Sequence, residues 1–390
     1  MRRVRLKEIG TFYSGLSGKS KSDFSEGNAL LVTYRNIFNN PVLNPAIKDT
    51  VVVGKDEKQN EVLWGDILIT GSSETPADAG MSSVVLFNPQ EKMYLNSFCF
   101  GFRLNDMNEA LPSYIGHLLR STSIRAAISK TAFGVTRFNV NRMRFADIEI
   151  PLPPLNIQKE IVSILDSFTS LIDKMKQEVE MRKKQMEYYR EKLMAPQKNW
   201  KIKTLGEIGT FTRGNGLQKS DFRVKGFPCV HYGQIHTYYN TCIYKTKSSC
   251  EEDLAKKLQK ASYGDLLIAT TSEDVKACCK AAVWFGAGDV AYSGDSFCYS
   301  HDQDPKYMAY LFQTEMFAKQ KQKAATGAKV IRVSGESMAS FSFAFPPLVQ
   351  QRQIASILDT FETYISKLEK MIELRQKQYE YYREKLLTFE

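Results

Sequence analysis

Tryptophan and histidine are scarce in this chain, three and four among 390 residues. The histidines, His117, His231, His236 and His301, have no zinc spacing, so no structural zinc site is expected. The seven cysteines are odd in number and include no C-x-x-C pair, which argues against a disulfide framework and a dithiol redox motif. Cys278-Cys279 reads as two adjacent core thiols. No apolar run approaches the ~20 residues that cross a bilayer. The opening Met1-Arg2-Arg3-Val4-Arg5 is basic but no apolar segment follows it. No export signal is therefore visible, and the cytoplasm is the expected compartment.

The chain does contain one long internal repeat. Glu-Tyr-Tyr-Arg-Glu-Lys-Leu stands at Glu187 to Leu193 and again at Glu380 to Leu386. Glu8-Ile9-Gly10-Thr11-Phe12 returns as Glu207-Ile208-Gly209-Thr210-Phe211, and Lys21-Ser22-Asp23-Phe24 as Lys219-Ser220-Asp221-Phe222. Gly65-Asp66 matches Gly264-Asp265, Ser97-Phe98-Cys99 matches Ser296-Phe297-Cys298, and Pro153-Pro154-Leu155 matches Pro346-Pro347-Leu348. Two similar bodies in pseudo-twofold relation follow, an arrangement suited to an extended, near-symmetric ligand such as duplex DNA. Between the anchors the halves differ. Arg35-Asn36-Ile37 faces Gly233-Gln234-Ile235, and Thr136-Arg137-Phe138 faces Lys329-Val330-Ile331. The anchors read as scaffold and the divergent stretches as the parts that recognise something. The net charge of +10 sits mostly in the two bodies, which favours a polyanion held by both.

Each half ends in a long helical pattern. Ile161, Ile164, Phe168, Ile172, Met175, Val179, Arg182, Met186, Tyr189 and Leu193 recur at spacings of three and four. Ile354, Ile357, Phe361, Ile365, Leu368, Ile372, Arg375, Tyr379, Tyr382 and Leu386 repeat the seam position by position. Matching seams predict an antiparallel coiled coil of helices 157–194 and 350–387 that acts as a spacer. The bodies read as α+β units of short strands, turns at Gly65 and Gly264, and helical patterns over Pro112 to Ser129 and Tyr307 to Lys319. The expected divisions are a first body at 1–155, a helix and linker at 156–198, a second body at 199–347 and a second helix at 348–390.

Two motifs are weak. Gly18-Lys19-Ser20 ends like a phosphate loop, but the required first glycine is Tyr13. Asp265, Asp274 and Lys276 have the loose spacing of a metal-dependent nuclease, and the first half lacks the matching lysine. Self-contained cleavage by these three residues is one rival reading; a coiled-coil scaffold without a DNA role is another.

The segment from Ile150 through Pro153-Pro154-Leu155, Gln158, Ile161 and Ile164 to Asp166 resembles the junction motif of type I restriction–modification specificity subunits. It recurs at Pro346-Pro347-Leu348, Gln351, Ile354, Ile357 and Asp359. The openings Gly10 to Gly15 and Gly209 to Gly214 resemble the starts of that family's target-recognition domains, and Gly134 and Gly327 resemble loops near their ends. Phe343-Ala344-Phe345 departs from the family's usual proline–leucine strand end. The resemblance implies a non-catalytic subunit in which each body reads one half of a bipartite site and the helices set the separation. It also implies two methyltransferase subunits and, through them, restriction and motor subunits as partners. S-adenosylmethionine, ATP and Mg²⁺ would belong to those partners. Consistent with this, the chain has no Asn-Pro-Pro-aromatic and no Gly-x-Gly-x-x-Gly sequence. The candidate base readers are hydrogen-bonding side chains in divergent loops. In the first body they are Arg35, Asn36, Ser72, Ser73, Thr136, Arg137 and Asn139. In the second they are Tyr232, Gln234, His236, Thr271, Ser272, Lys329 and Arg332. Arg137 and Arg332 lead, because arginine can pair bidentately with guanine.

Overall fold

A computed structural model describes residues 2–389. They form two compact units, one of residues up to Lys176 with those from Lys370 onward, the other of Gln177–Glu369. The expected boundaries treat each long helix as a separate piece. By packing, each helix is instead divided between the units. Among the described residues, no helix is long and apolar enough to cross a membrane.

The main sheet of the first unit has the order Gly10–Ser14, Cys99–Leu104, Ile67–Thr70, Ser82–Val84, all antiparallel. The apolar run Ile67–Thr70 is buried on both faces, and so is most of Cys99–Leu104. A smaller sheet joins Thr50–Val51, Ala29–Val32 and Met93–Leu95. The second unit repeats the plan. Its main sheet runs Gly209–Arg213, Ser296–His301, Leu266–Ala269, Lys280–Trp284, Cys242–Ile243. Its smaller sheet runs Ser248–Cys250, Phe227–Val230, Val290–Tyr292, Lys260–Ala261. The helical pattern over Pro112 to Ser129 is two helices, Pro112–Leu119 and Thr122–Ser129. Its counterpart is Pro305–Leu311 and Glu315–Ala324.

The repeated polar anchors share one role, which is to close backbone termini. Glu8 accepts from Arg5 N at 3.2 Å and Glu207 from Thr204 N at 2.6 Å, each capping a one-turn helix. Asp23 accepts from Ser20 N at 2.7 Å and Asp221 from Gln218 N at 2.8 Å. Asp66 accepts from Leu63 N and Asp265 from Ser262 N, both at 2.8 Å, which closes the turn before each central strand. The junction glutamines are fully buried. Gln158 accepts from Leu111 N at 2.9 Å and donates to Glu109 O and Pro153 O, each at 2.9 Å. Gln351 accepts from Asp304 N at 3.0 Å and donates to Pro346 O at 2.9 Å and Gln303 Oε1 at 2.7 Å. Each glutamine thus ties the first turn of a long helix to the loop before a body helix.

The long helices are Leu155–Met194 and Leu348–Leu387. Within each unit their segments run antiparallel. In the first unit Phe168 stacks on Tyr382 with centroids 5.4 Å apart. In the second, Tyr189 stacks on Phe361 at 5.5 Å, and Lys183 pairs with Glu369 at 2.9 Å. The seam differs from expectation at one step. Ile164 and Ile357 are exposed, and Leu165 and Leu358 are fully buried in their place. The first turns of each helix face the body's core as well as the other helix, so the buried stripe is displaced by one residue, ~100° around the axis. The remaining seam residues are buried or half-buried, apart from Tyr382, whose stacked ring is partly exposed.

The repeated heptapeptide also has a docking function. Glu384 accepts from Thr122 N at 2.9 and 3.0 Å, and Glu191 from Glu315 N at 3.1 and 3.3 Å. Each carboxylate caps the N-terminus of a body helix, where the exposed N–H groups and helix dipole favour negative charge. Arg383 and Arg190 hold those carboxylates at 3.0 and 3.4 Å.

Candidate nucleic-acid interface

In the first unit Phe138–Val140 pairs with Ser72–Ser73 on one side and Ala132–Phe133 on the other. The turn between Ala132–Phe133 and the central strand needs Gly134. Its φ is +131°, and a Cβ there would stand 2.1 Å from Arg137 O. Val135, 90% exposed, lies at the turn. Thr136, Arg137 and Asn139 follow it and are exposed. Arg137 Nε donates to Ser72 Oγ at 2.9 Å, and its guanidinium lies 5.3 Å from the Phe98 ring centroid. Ser72 and Ser73 are buried, at 4% and 8%. Ser72 therefore orients the arginine, and neither serine is exposed on the ribbon surface.

Arg35 is exposed on the helix Tyr34–Asn39, whose start is capped by Thr33. Arg120 fixes that helix against the sheet. It donates to Ser82 O at 2.8 Å and Ile37 O at 3.3 Å, and burial pulls its guanidinium down to about 10. Asn36 is not a free reader. Its amide donates to Asn44 O at 3.1 Å and accepts from Asn40 Nδ2 at 3.0 Å and Asn44 N at 3.2 Å. It closes its own loop.

The second unit builds the same ribbon from Thr271–Ser272 and Ile331–Arg332. Gly327, with φ +101°, turns the chain before it, and Lys329 and Arg332 are exposed. Thr271 is buried and donates to Asp295 at 3.2 Å, while Ser272 Oγ accepts from Asp274 N at 3.5 Å. Gln234 accepts from His231 N at 3.0 Å and donates to Ser248 Oγ at 2.7 Å. The His236 ring is bonded to Thr271 O at 2.9 Å. His236 thus holds the ribbon at Thr271, whereas Gln234 ties its own helix start to the smaller sheet. Tyr232 lines an open polar groove with Arg213, Lys219, His231 and Asp295.

Pairing register aligns the ribbons. Asn139 opposes Ser72, and Arg332 opposes Thr271. Arg332 is therefore the counterpart of Asn139, and Arg137 is the counterpart of Val330. The leading arginines stand two residues apart on equivalent strands, on the same face and ~7 Å displaced. One scaffold presents its guanidinium at two different steps.

The weak motifs have structural explanations. Lys19 pairs with Glu57 at 2.5 Å, and this bond draws the Glu57 carboxyl down to about 2. Ser20 is bonded to Asp23. The residues do not form a phosphate cradle. Asp265 is occupied by its own turn, and Asp274 accepts from Ala277 N at 2.7 Å. Among the described residues, no three His, Cys, Asp or Glu side chains gather where they could hold a metal ion. These groups do not fit the Mg²⁺ that a nuclease of this kind requires.

Two like α+β units, each with an exposed basic ribbon and a pair of long-helix segments, define a DNA-recognition subunit with two equivalent recognition bodies. The chain belongs to the type I restriction modification DNA specificity family, whose domain matches residues 1–181 and 197–376. A putative type I restriction enzyme specificity subunit of Haemophilus influenzae is 29% identical over 268 residues, 66% of this chain and 68% of that protein. A type I restriction enzyme specificity subunit of Escherichia coli is 28% identical over 256 residues, 62% and 63% of the two chains. Two solved chains share the fold. The S subunit of a type I system from M. genitalium has a TM-score of 0.56 at 15% identity, covering 100% of this chain and 96% of that one. A chain solved for the complex assembly and conformational transition of the type I R-M system has a TM-score of 0.59 at 14% identity, covering 99% and 97%. The chain is thus a DNA specificity subunit of a type I restriction–modification complex.

Proposed function

We propose that each ribbon reads one half of a bipartite duplex site, and that the two long helices set the spacing between the halves. The chain itself performs no catalysis. Two methyltransferase subunits dock on it and bring restriction and motor subunits with them. S-adenosylmethionine, ATP and Mg²⁺ act in those partners, and the complex works in the cytoplasm. The observation that carries this reading is the pair of equivalent ribbons with different exposed side chains: Thr136, Arg137 and Asn139 on one, Lys329 and Arg332 on the other. Arg35 and Tyr232 flank them. The basic excess of the bodies suits phosphate contacts on both sides of each ribbon.

Arg137→Ala tests the reading. Competition binding by the assembled complex should show a loss of ~1–3 kcal/mol, with discrimination relaxed at one base pair of one half-site. The other half-site should keep its full discrimination. Equal weakening on every sequence would make Arg137 a phosphate contact and refute its part in base reading.

A further inference from the structure

Phe98 is 60% exposed, although the adjacent Cys99 and Phe100 are fully buried. Its backbone is fixed on both sides. The N–H donates to Asn96 Oδ1 at 2.9 Å, and the carbonyl accepts from Gly71 N at 2.8 Å. The ring is held too, because the Arg137 guanidinium lies 5.3 Å from its centroid and is itself tied to Ser72. Among the described residues, the two terminal nitrogens of Arg137 have no protein acceptor.

The internal repeat shows the ring to be particular to the first unit. The pairing register sets the counterpart: Gly71 N donates to Phe98 O as Thr270 N donates to Asp295 O, so Asp295 stands where Phe98 does, its carboxylate accepting from Thr271 Oγ1 at 3.2 Å. Gly335 opens a short helix capped by Ser334, and its equivalent, Arg142, opens one capped by Asn141. Phe297 is the counterpart of Phe100, and Arg142 covers Phe100 where Gly335 lies against Phe297. The Arg142 guanidinium lies 5.0 Å from the Phe100 centroid and donates to Ser14 Oγ at 2.7 Å. Phe98 stands outside this packing, beside Arg137.

Resting on the reading above, we propose that Phe98 is a specificity-determining residue whose ring packs on the C5-methyl group of a thymine next to the base pair that Arg137 reads. The thymine methyl is the one apolar group that base pairs present in the major groove. An intercalating wedge would need both ring faces for stacking. Here the guanidinium covers one face and leaves the ring edge for a small apolar group. Ring and guanidinium are pre-ordered, so little side-chain freedom is lost on binding. The second unit has no exposed ring at this place, so the effect belongs to one half-site.

The test uses the complex assembled with its methyltransferase partner and a duplex carrying the site mapped by methylome sequencing. Each thymine is replaced in turn by uracil, which removes only the methyl group. One uracil, adjacent to the pair sensitive to Arg137→Ala, should weaken binding about four-fold, the worth of one buried methyl. In Phe98→Ala, uracil and thymine duplexes should bind equally. The proposal is overturned if no uracil duplex weakens binding, if Phe98→Ala keeps the uracil penalty, or if that half-site has no thymine beside the sensitive pair. A 2-aminopurine signal of unstacking without a uracil effect would make the ring a wedge and also overturn it. Specific binding with no uracil effect removes only the role of Phe98. Binding without sequence preference removes the base-reading function as a whole.

Discussion

Residues 1–198, co-expressed with the partner methyltransferase, should form a homodimer that modifies an interrupted palindrome of the first half-site. In the first unit, segment 155–176 packs with the C-terminal turns of the second long helix, and the repeat supplies their equivalents at 177–194. The Phe168–Tyr382 stack would become Phe168 on Tyr189 of a second copy, a ring pair with the same chemistry. Glu191 would replace Glu384 at the Thr122 N–H, and Leu193 would replace Leu386. One contact does not transfer. Met186 stands where Tyr379 does, so the His117 ring loses its phenol partner at 3.1 Å, at a cost of about 1 kcal/mol. Size measurement and mapping of the modified sites decide the outcome. A fragment that stays monomeric at micromolar concentration, or one that yields the original asymmetric site, would sink this prediction.

Gln158→Leu should lower stability by about 3 kcal/mol or more, since it orphans one buried N–H and two carbonyls at nearly constant volume. For a unit of this size that is a fall of about 10 °C in melting temperature. Gln351→Leu should act in the same direction but less strongly in the second unit, where one donated bond goes to the Gln303 side chain, which can turn to solvent. Gln158→Glu should not rescue, because an ionised carboxylate cannot donate to Glu109 O and Pro153 O. Thermal unfolding followed by circular dichroism measures all three. A change within ~0.5 kcal/mol would show that the clamp does not support the helix junction.

The fold was largely legible because a repeated anchor marks a repeated backbone need. Asp66 and Asp265 close the same turn, and Gln158 and Gln351 make the same clamp. The seam was legible except where helix and body share a core, at Leu165 and Leu358. The reader residues were less so. Sequence reveals that Asn36, Gln234 and His236 can hydrogen-bond, but not that loop and ribbon already occupy them. Arg137 and Arg332 can be named from sequence as exposed arginines near the loops, but their different places on the ribbon appear only with the pairing register. Phe98 was missed because Ser97-Phe98-Cys99 matches Ser296-Phe297-Cys298 in sequence and so reads as scaffold, whereas the strand register sets Phe98 level with Asp295.

The division of the long helices has a consequence for the order in which the molecule is completed. The unit Gln177–Glu369 is one continuous stretch, whereas the other is closed by residues from Lys370 onward. During synthesis the middle unit can finish as soon as it emerges. The first body must wait through about 190 residues, ~10–40 s at ~5–20 residues per second. Over that interval Leu165, Phe168 and Ile172 lack the cover that Tyr379, Tyr382 and Leu387 later supply. A nascent chain therefore carries an uncovered apolar stripe until its last helix arrives, and the body translated first is the last to close.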